Sequence, residues 1–384
     1  MSCTRTTLSR SHFWVLLRIS PTPSANPRIR LISSSSNQQS FTVSYLINSI
    51  GLCPKTALSA SKHVNIKSPE KPDKVVELFR SYGFTRTQIS SLVRVFPAVL
   101  VSDTKKTILP KLEFLKAKGI SGPDMAKKLC LFPTLLKSSL VKQIMPSYVF
   151  YRNLFQSDGK VVAVVKRYPD VLTFSLKKYV SPNIDILRRH GVPDAKICIL
   201  MLNWPICVMA THDRFQKVLK KVEDMGFHAS KLNFVLAVVA LRTRDEAKWQ
   251  SKVDAYKKWG CSEEDVLKAF YRFPWCMMIS ENKLMAGMDF FINQMGLRPC
   301  FIVKHSRLLS QSLKKRIIPR FSVFEVLLSK GLVKKDVSLR QLFQVSDKKF
   351  LQNFVTPYKE EAPELLKLYK EKMNLSNGPL VDKI

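Results

Sequence analysis

An aromatic residue followed by a proline and an apolar run recurs along this chain at a nearly fixed interval. The first four of these prolines are 36 residues apart, and the fifth follows after 69 residues, close to two periods. At the skipped position, Ala240 takes the place of the proline. A period of this size is typical of stacked helical units that cannot bury their apolar faces alone. The five phrases are RVFPAVL at Pro97, CLFPTLL at Pro133, KRYPDVL at Pro169, LNWPICVM at Pro205 and YRFPWCMM at Pro274.

A glycine lies fourteen residues before most of these positions, and only the copy around Phe155 lacks it. A glycine with left-handed dihedrals ends one helix, and a second helix then runs up to the residue before the proline, where the α conformation is disfavoured. We therefore predict an all-α, helical-repeat solenoid with repeats of about 35 residues. The glycines are Gly83, Gly119, Gly191, Gly226 and Gly260.

A further proline predicts where the next helix begins. Proline suits a first helical turn because the amide hydrogen it lacks would have no partner there. Each repeat should then consist of a helix, a glycine, a second helix and a proline break. The prolines predicted to open helices are Pro110, Pro146, Pro182 and Pro319.

The first 40 residues contain five arginines, many serines and no acidic residue. This composition is typical of an organellar transit peptide, which we expect to be disordered. It favours the mitochondrion, with the chloroplast as the alternative. We predict lead-in helices over residues 41–70, the repeat solenoid over 71–345, and C-terminal capping helices with a tail over 346–384.

The net charge of +34 is the strongest constraint on function. Residues 1–69 contain eight basic residues and no acid, and the remainder still has 55 basic against 29 acidic residues, or +26. Such an excess repels itself unless a polyanion neutralises it, which indicates a nucleic-acid partner. An anionic membrane surface is the alternative, but no basic amphipathic helix stands apart from the repeats. No segment approaches the ~18 uncharged apolar residues of a membrane span, so we expect no membrane partner.

No pattern of catalytic or metal-binding residues is present. The eight cysteines form no CxxC pair, and the six histidines show no metal-ligand spacing. The sequence has no phosphate-binding glycine loop of either common type. We predict that the protein is not an enzyme and has no cofactor, metal site or small-molecule substrate.

A basic residue recurs nine positions after each proline of the phrase, eight after Ala240, and nine after Ser306, which takes the place of the proline in the last copy. A cation near a helix N-terminus is locally unfavourable, so its recurrence indicates a cause outside the helix. The functional interpretation is a series of phosphate contacts. The alternatives are a solvated surface or ion pairs between neighbouring repeats. The residues are Lys106, Lys142, Lys178, Arg214, Lys248, Lys283 and Lys315.

The aromatic residues before the prolines could stack on nucleic-acid bases. Each is surrounded by an apolar run, however, which favours packing between units. Basic residues beside these rings are better candidates for solvent-facing contacts. The rings are Phe96, Phe132, Tyr168, Trp204 and Phe273, and the basic neighbours are Arg94, Lys166, Arg167, Arg272 and Lys304.

These features resemble the mitochondrial transcription termination factor (mTERF) family, specifically its land-plant members. The resemblance covers about residues 41–370 and rests on the proline repeats, SYLINSIGL with ALSASK, SLKKRIIPRFSVFEVLLSKG and KFLQNFVTPYKEEAPELLKLY. It implies a left-handed solenoid of triangular repeats, each with two α-helices and a short 3-10 turn. It also implies nucleic-acid binding in an organelle through basic side chains lining a groove. We extend that role to the recurring basic residues and to Arg316 and Arg320 in the matched RIIPR segment.

We therefore expect a monomeric binder of organellar double-stranded DNA that regulates mitochondrial transcription, including its termination. One alternative is an RNA-binding factor for intron splicing or transcript processing. A pentatricopeptide-type RNA reader has a similar period but lacks the aromatic–proline phrase. A protein-binding scaffold is the third alternative, but its surface should carry balanced charge.

Overall fold

The computed structural model describes residues 36–375, except 121 and 335, and this part of the chain is helical without any β-strand. No helix in it is both long enough and apolar enough to cross a bilayer. The α-helices are α1 (Ser36–Asn48), α2 (Pro54–Ser61), α3 (Glu70–Ser81), α4 (Arg86–Val95), α5 (Leu109–Ala117), α6 (Gly122–Leu131), α7 (Thr134–Lys137), α8 (Met145–Phe155), α9 (Asp158–Arg167), α10 (Ser181–Arg189), α11 (Asp194–Asn203), α12 (His212–Asp224), α13 (Leu232–Thr243), α14 (Glu246–Lys257), α15 (Glu263–Arg272), α16 (Glu281–Asp289), α17 (Pro299–Lys304), α18 (Ile318–Ser329), α19 (Asp347–Phe354) and α20 (Leu365–Leu375).

The described chain forms two compact units, one ending at Lys217 and one beginning at Val218. In the first unit, second helices of successive repeats pack against each other, α4 on α6 and α9 on α11. In the second unit α15 packs on α13 and α17, and α20 packs on α18 at the C-terminal end. The predicted transit peptide lies mostly outside the described residues, although α1 already begins at Ser36, inside the predicted boundary.

Each second helix ends where the sequence predicts. Helices α4, α6, α9, α11 and α15 are each 10 residues long and end before the aromatic residue of the phrase. At Phe96 the backbone leaves the α region, with φ −137° and ψ 72°, and the 3-10 turn Pro97–Val101 follows. In the copy without proline, α13 continues past Ala240 to Thr243, because that residue keeps its amide hydrogen.

The first helix of most repeats begins earlier than its proline predicts. A π-helical turn precedes the α-helix, as in Thr104–Ile108 before Pro110 and Leu140–Ile144 before Pro146. Proline inside a helix removes one hydrogen bond and clashes with the carbonyl four residues earlier. A wider π turn with bonds to the fifth preceding residue relieves both problems. The helix therefore starts about six residues before the proline.

The first helices end as predicted at residues with positive φ. Gly119 has φ +75°, and the other four glycines of the pattern have similar values. In the copy that lacks glycine, Gln156 takes the left-handed conformation with φ 50°. Its amide donates to the carbonyl of Arg152, so the helix end is satisfied at the cost of an unfavourable conformation for a residue with a Cβ.

A buried polar side chain from the first helix closes each of several repeats. It donates to backbone carbonyls at the end of the turn in the same repeat, where a tight turn leaves acceptors without backbone partners. The donors are Lys111 to Leu136, Asn183 to Val208 and Ala210 (2.8 and 2.9 Å), Lys252 to Ile279 (2.7 Å), and Arg320 to Leu342 and Val345 (3.0 Å each). All four side chains are buried.

These closing bonds fix where the next helix begins. Ala210, Ile279 and Val345 each lie two residues before the first residue of the next helix, and Thr211, Ser280 and Ser346 stand between. The position of each helix start therefore depends on a hydrogen bond made inside the preceding repeat.

Replacing Gln156 with glycine should stabilise the first unit by about 0.5–1 kcal/mol. The left-handed conformation costs a residue with a Cβ about 1–2 kcal/mol, and the extra freedom of glycine in the unfolded chain offsets about half of this. Urea unfolding followed by circular dichroism measures the change. The matched control is Gly119→Ala, which should destabilise the unit by about 1 kcal/mol although a Cβ there meets nothing within 4 Å. A loss of stability in Gln156→Gly would contradict this account.

The stability of the second unit should rise with pH because of Lys252. Burial, with repulsion from Arg244, lowers the pKa of Lys252 to about 8, whereas an unfolded lysine keeps its proton up to about pH 10.4. Between these values the unfolded chain binds more protons, so raising the pH favours folding. From pH 7 to pH 9 the wild type should gain about 1 kcal/mol relative to Lys252→Met. Unfolding free energies of both proteins at the two pH values test this, and a constant difference between them would contradict it.

Candidate nucleic-acid interface

The recurring basic residues occupy the third position of successive helices. For six of the seven, the backbone amide donates to the side chain of a serine or aspartate three residues earlier, which caps the helix. The amide-to-oxygen distances are 2.8 Å (Lys106 to Asp103), 3.1 Å (Lys142 to Ser139), 3.2 Å (Lys178 to Ser175), 2.9 Å (Lys248 to Asp245), 3.3 Å (Lys283 to Ser280) and 3.1 Å (Lys315 to Ser312). Arg214 stands three residues after Thr211 in the same relation.

In the first unit all four of these side chains are exposed: Lys106, Lys142, Lys178 and Arg214. Among the described residues, none of these four side chains forms an ion pair. One of them contacts a ring, since the ammonium of Lys178 lies 5.2 Å from the ring centre of Tyr179. They occupy equivalent positions of successive repeats, each the third residue of its helix. An anion there would meet both a cationic side chain and the positive end of a helix dipole.

In the second unit, the three recurring basic residues at the third helix position lie in different environments. Lys315 is exposed. Lys248 forms an ion pair with Asp245 at 2.5 Å, which matches the alternative of a locally neutralised surface charge. The ammonium of Lys283 donates to the carbonyl of Ser310 at 2.6 Å, and burial lowers its pKa. Lys248 and Lys283 are therefore less available to a ligand than Lys315.

The expectation that Arg320 contacts nucleic acid is wrong, because its side chain is 0% exposed. Its guanidinium binds the carboxylate of Asp347 at 2.5 Å and lies 4.7 Å from the ring centre of Phe350, besides closing the repeat. Arg316, 18% exposed, donates to the carbonyl of Val345 at 3.2 Å and lies 3.7 Å from Asp347. Burial raises the pKa of Asp347, but the hydrogen bond and charges of the two arginines lower it overall.

The structure adds one residue that the sequence analysis missed. Lys349 is exposed at the third position of α19, and its amide donates to Ser346 at 3.2 Å. The signal was present as a serine or aspartate followed two and three positions later by a pair of lysines. The same pattern occurs at Lys106, Lys178 and Lys315. We call Lys106, Lys142, Lys178, Arg214, Lys315 and Lys349 the helix-start cations.

The aromatic rings of the repeated phrase contact the following repeat. The ammonium of Lys137 lies 4.8 Å from the ring centre of Phe96, and the guanidinium of Arg307 lies 5.0 Å from that of Phe273. Tyr168 is buried, and its hydroxyl donates to the carbonyl of Asn203 at 2.6 Å. These contacts match the interpretation that the rings pack between repeats, and they show that two of them also position a cation.

The described residues contain no group of three or more His, Cys, Asp or Glu side chains that could hold a metal ion. Burial raises the pKa of Cys276 to about 12 and that of Cys261 to about 11, so neither thiol is activated as a nucleophile. The candidate interface therefore consists of cationic side chains at capped helix starts, and both features attract anions.

Comparison with known proteins assigns the chain to a family. The mTERF family matches residues 76–239 and 237–351, which together span most of the chain. The chain belongs to the mTERF family. This confirms both the resemblance noted in the sequence and the all-α repeat architecture. The match covers the helix-start cations from Lys106 to Lys349.

One curated relative of this mTERF protein is the Transcription termination factor MTERF15, mitochondrial, of Arabidopsis thaliana. The two are 28% identical over 109 residues, which are 28% of this chain and 24% of the relative. The aligned segment thus spans about a quarter of the relative's length.

We expect substitution of Arg320 to lower the unfolding free energy and substitution of Lys315 to leave it nearly unchanged, because only Arg320 is buried. Arg320→Gln leaves the buried carbonyls and Asp347 without their charged partner, and should lower the unfolding free energy by about 3 kcal/mol. Lys315→Gln changes an exposed side chain, and should alter it by less than about 0.5 kcal/mol. Urea unfolding of both variants tests this assignment. Equal stability of Arg320→Gln and the wild type would show that the arginine is not part of the closure.

Proposed function

We propose that this mTERF protein is a non-enzymatic regulator of mitochondrial transcription, including its termination, that binds double-stranded DNA through the helix-start cations. The observation that carries the proposal is the recurrence of an exposed cation at the third position of capped helices. A cation there is unfavourable for the isolated helix by about 0.3–1 kcal/mol. A bound phosphate reverses this effect, because the helix start and the side chain then attract the same group.

The spacing of the helix-start cations in the first unit fits a duplex. Packed helices lie about 8–10 Å apart, so four successive repeats place their cations over roughly 30 Å. One turn of duplex DNA measures about 34–36 Å. The four cations of this unit can therefore follow the phosphates of about one duplex turn without reading individual bases.

The setting in mitochondria is supported by two features. The relative in Arabidopsis thaliana is a mitochondrial transcription termination factor. The first 40 residues have five arginines and no acid, as mitochondrial transit peptides do. The chloroplast is the alternative location, and import of the tagged protein in plant cells decides between them.

A salt titration of duplex binding tests the proposal. Six phosphate contacts predict a slope of about −5 for the logarithm of the association constant against that of the salt concentration. Reversing Lys142, Lys178 and Arg214 to glutamate removes three contacts, and should bring the slope to about −2.7 while weakening binding to all sequences. Fluorescence anisotropy of the full chain with a labelled duplex gives both values.

The control reverses three exposed cations that do not lie at helix starts, namely Lys116, Arg189 and Lys220. It changes the net charge by the same amount, so a slope near that of the wild type shows that position and not total charge determines binding. Equal losses in both triple variants would contradict the role of the helix-start cations. Tighter binding of single-stranded RNA than of duplex DNA would favour the alternative of an RNA-processing factor.

A further inference from the structure

A cavity of about 580 Å³ lies in the first unit, and none of the helix-start cations is among the described residues that line it. It is formed by α2, the end of α4 and the turns that follow α4 and α6. Its lining includes Lys55, His63, Arg94 and Lys137, and no acidic residue is among the described residues that line it. Sites for small ligands commonly have volumes of about 300–1,000 Å³. The cavity is therefore large enough for one nucleotide.

The four basic side chains of this cavity are all exposed, and none has a hydrogen-bond or ion-pair partner among the described residues. Other cations of this unit are neutralised locally, as Arg188 is by Asp185 and Asp194 at 3.1 and 2.9 Å, but the cations of this cavity are not. Several unneutralised cations around one concave surface repel each other, and an anion in the cavity removes that repulsion.

Phe96 holds one of these cations in place. The ammonium of Lys137 lies 4.8 Å from the ring centre, and this contact attracts the ammonium without neutralising its charge. The ring is thus covered by a cation of the next repeat. The ring thus holds the charge of Lys137 at a cavity that Arg94 also lines.

We propose that this cavity binds a terminal phosphomonoester of a nucleic-acid strand, with Arg94, Lys137 and Lys55 contacting the phosphate oxygens. An internal phosphodiester has one negative charge, whereas a terminal phosphate has about two at neutral pH. The guanidinium of Arg94 can donate two parallel hydrogen bonds to such a group. Ser59 and His63 add further hydrogen-bond donors at the cavity wall. The proposal rests on the proposed nucleic-acid binding and extends it to strand ends.

The test compares binding of the full chain to short single strands with a 5′-phosphate, a 3′-phosphate or only hydroxyl ends. A phosphate on one end should tighten binding about tenfold, as expected for charged hydrogen bonds. In Arg94→Gln/Lys137→Gln the phosphorylated and unphosphorylated strands should bind equally. Phe96→Leu should reduce the phosphate preference to a smaller extent, because it removes only the ring under Lys137.

Two control variants test whether the preference for phosphorylated strands depends on this cavity and not on other surface cations. Lys116→Gln/Arg189→Gln changes the charge equally and should keep the tenfold preference. Lys142→Gln/Lys178→Gln should weaken all strands alike and also keep the preference, because it affects only the helix-start cations. Loss of the preference in either control would overturn the assignment to Arg94 and Lys137.

The possible outcomes distinguish failure of the strand-end proposal from failure of the proposed nucleic-acid binding. Equal binding of all strands by the wild type overturns the strand-end proposal while leaving nucleic-acid binding intact. Failure to bind any strand or duplex overturns the proposed function itself. AMP and inorganic phosphate serve as competitors, and binding of AMP as tightly as the phosphorylated strand would assign the cavity to free nucleotides and overturn the strand-end proposal.

Discussion

The hydrogen bonds from buried first-helix side chains to the carbonyls at the end of the same repeat's turn hold four of the repeats closed. The turn leaves these carbonyls facing an apolar interior, where an acceptor without a donor costs about 1–3 kcal/mol. Lys111, Asn183, Lys252 and Arg320 supply the donors at four repeats. Since several of these carbonyls lie two residues before the first residue of the next helix, the same bonds set the position of the exposed cation that follows.

The regular part of this fold was predictable because it depends on local backbone chemistry. Proline, and glycine with positive φ, act within a few residues, so the ends of α4, α6 and the other second helices followed from the sequence. The longer helix at Ala240 followed from the same rule. The π turns before Pro110 and Pro146 were not predictable, because helix periodicity does not reveal which hydrogen-bond spacing a turn uses.

The candidate interface was predictable in part. Recurrence identified the exposed cations from Lys106 to Arg214 and Lys315. The family resemblance added Arg320, five residues after Lys315 on the same helix, and could not show that it is buried. The two point to different sides of that helix, one to solvent and one to the repeat's own carbonyls. Charge alone does not reveal this, since the long side chains of lysine and arginine can reach buried acceptors. Lys349 was missed because its copy lacks the aromatic–proline phrase.

The closing bonds stay within single repeats, joining residues 22 to 27 positions apart along the chain. Gain or loss of one complete copy that carries such a bond therefore orphans neither its buried donor nor its acceptor, because both belong to that copy. Duplication can then lengthen or shorten such a protein one module at a time. Each new module would also add a capped helix start, so the number of basic contacts can change without redesign of the interior.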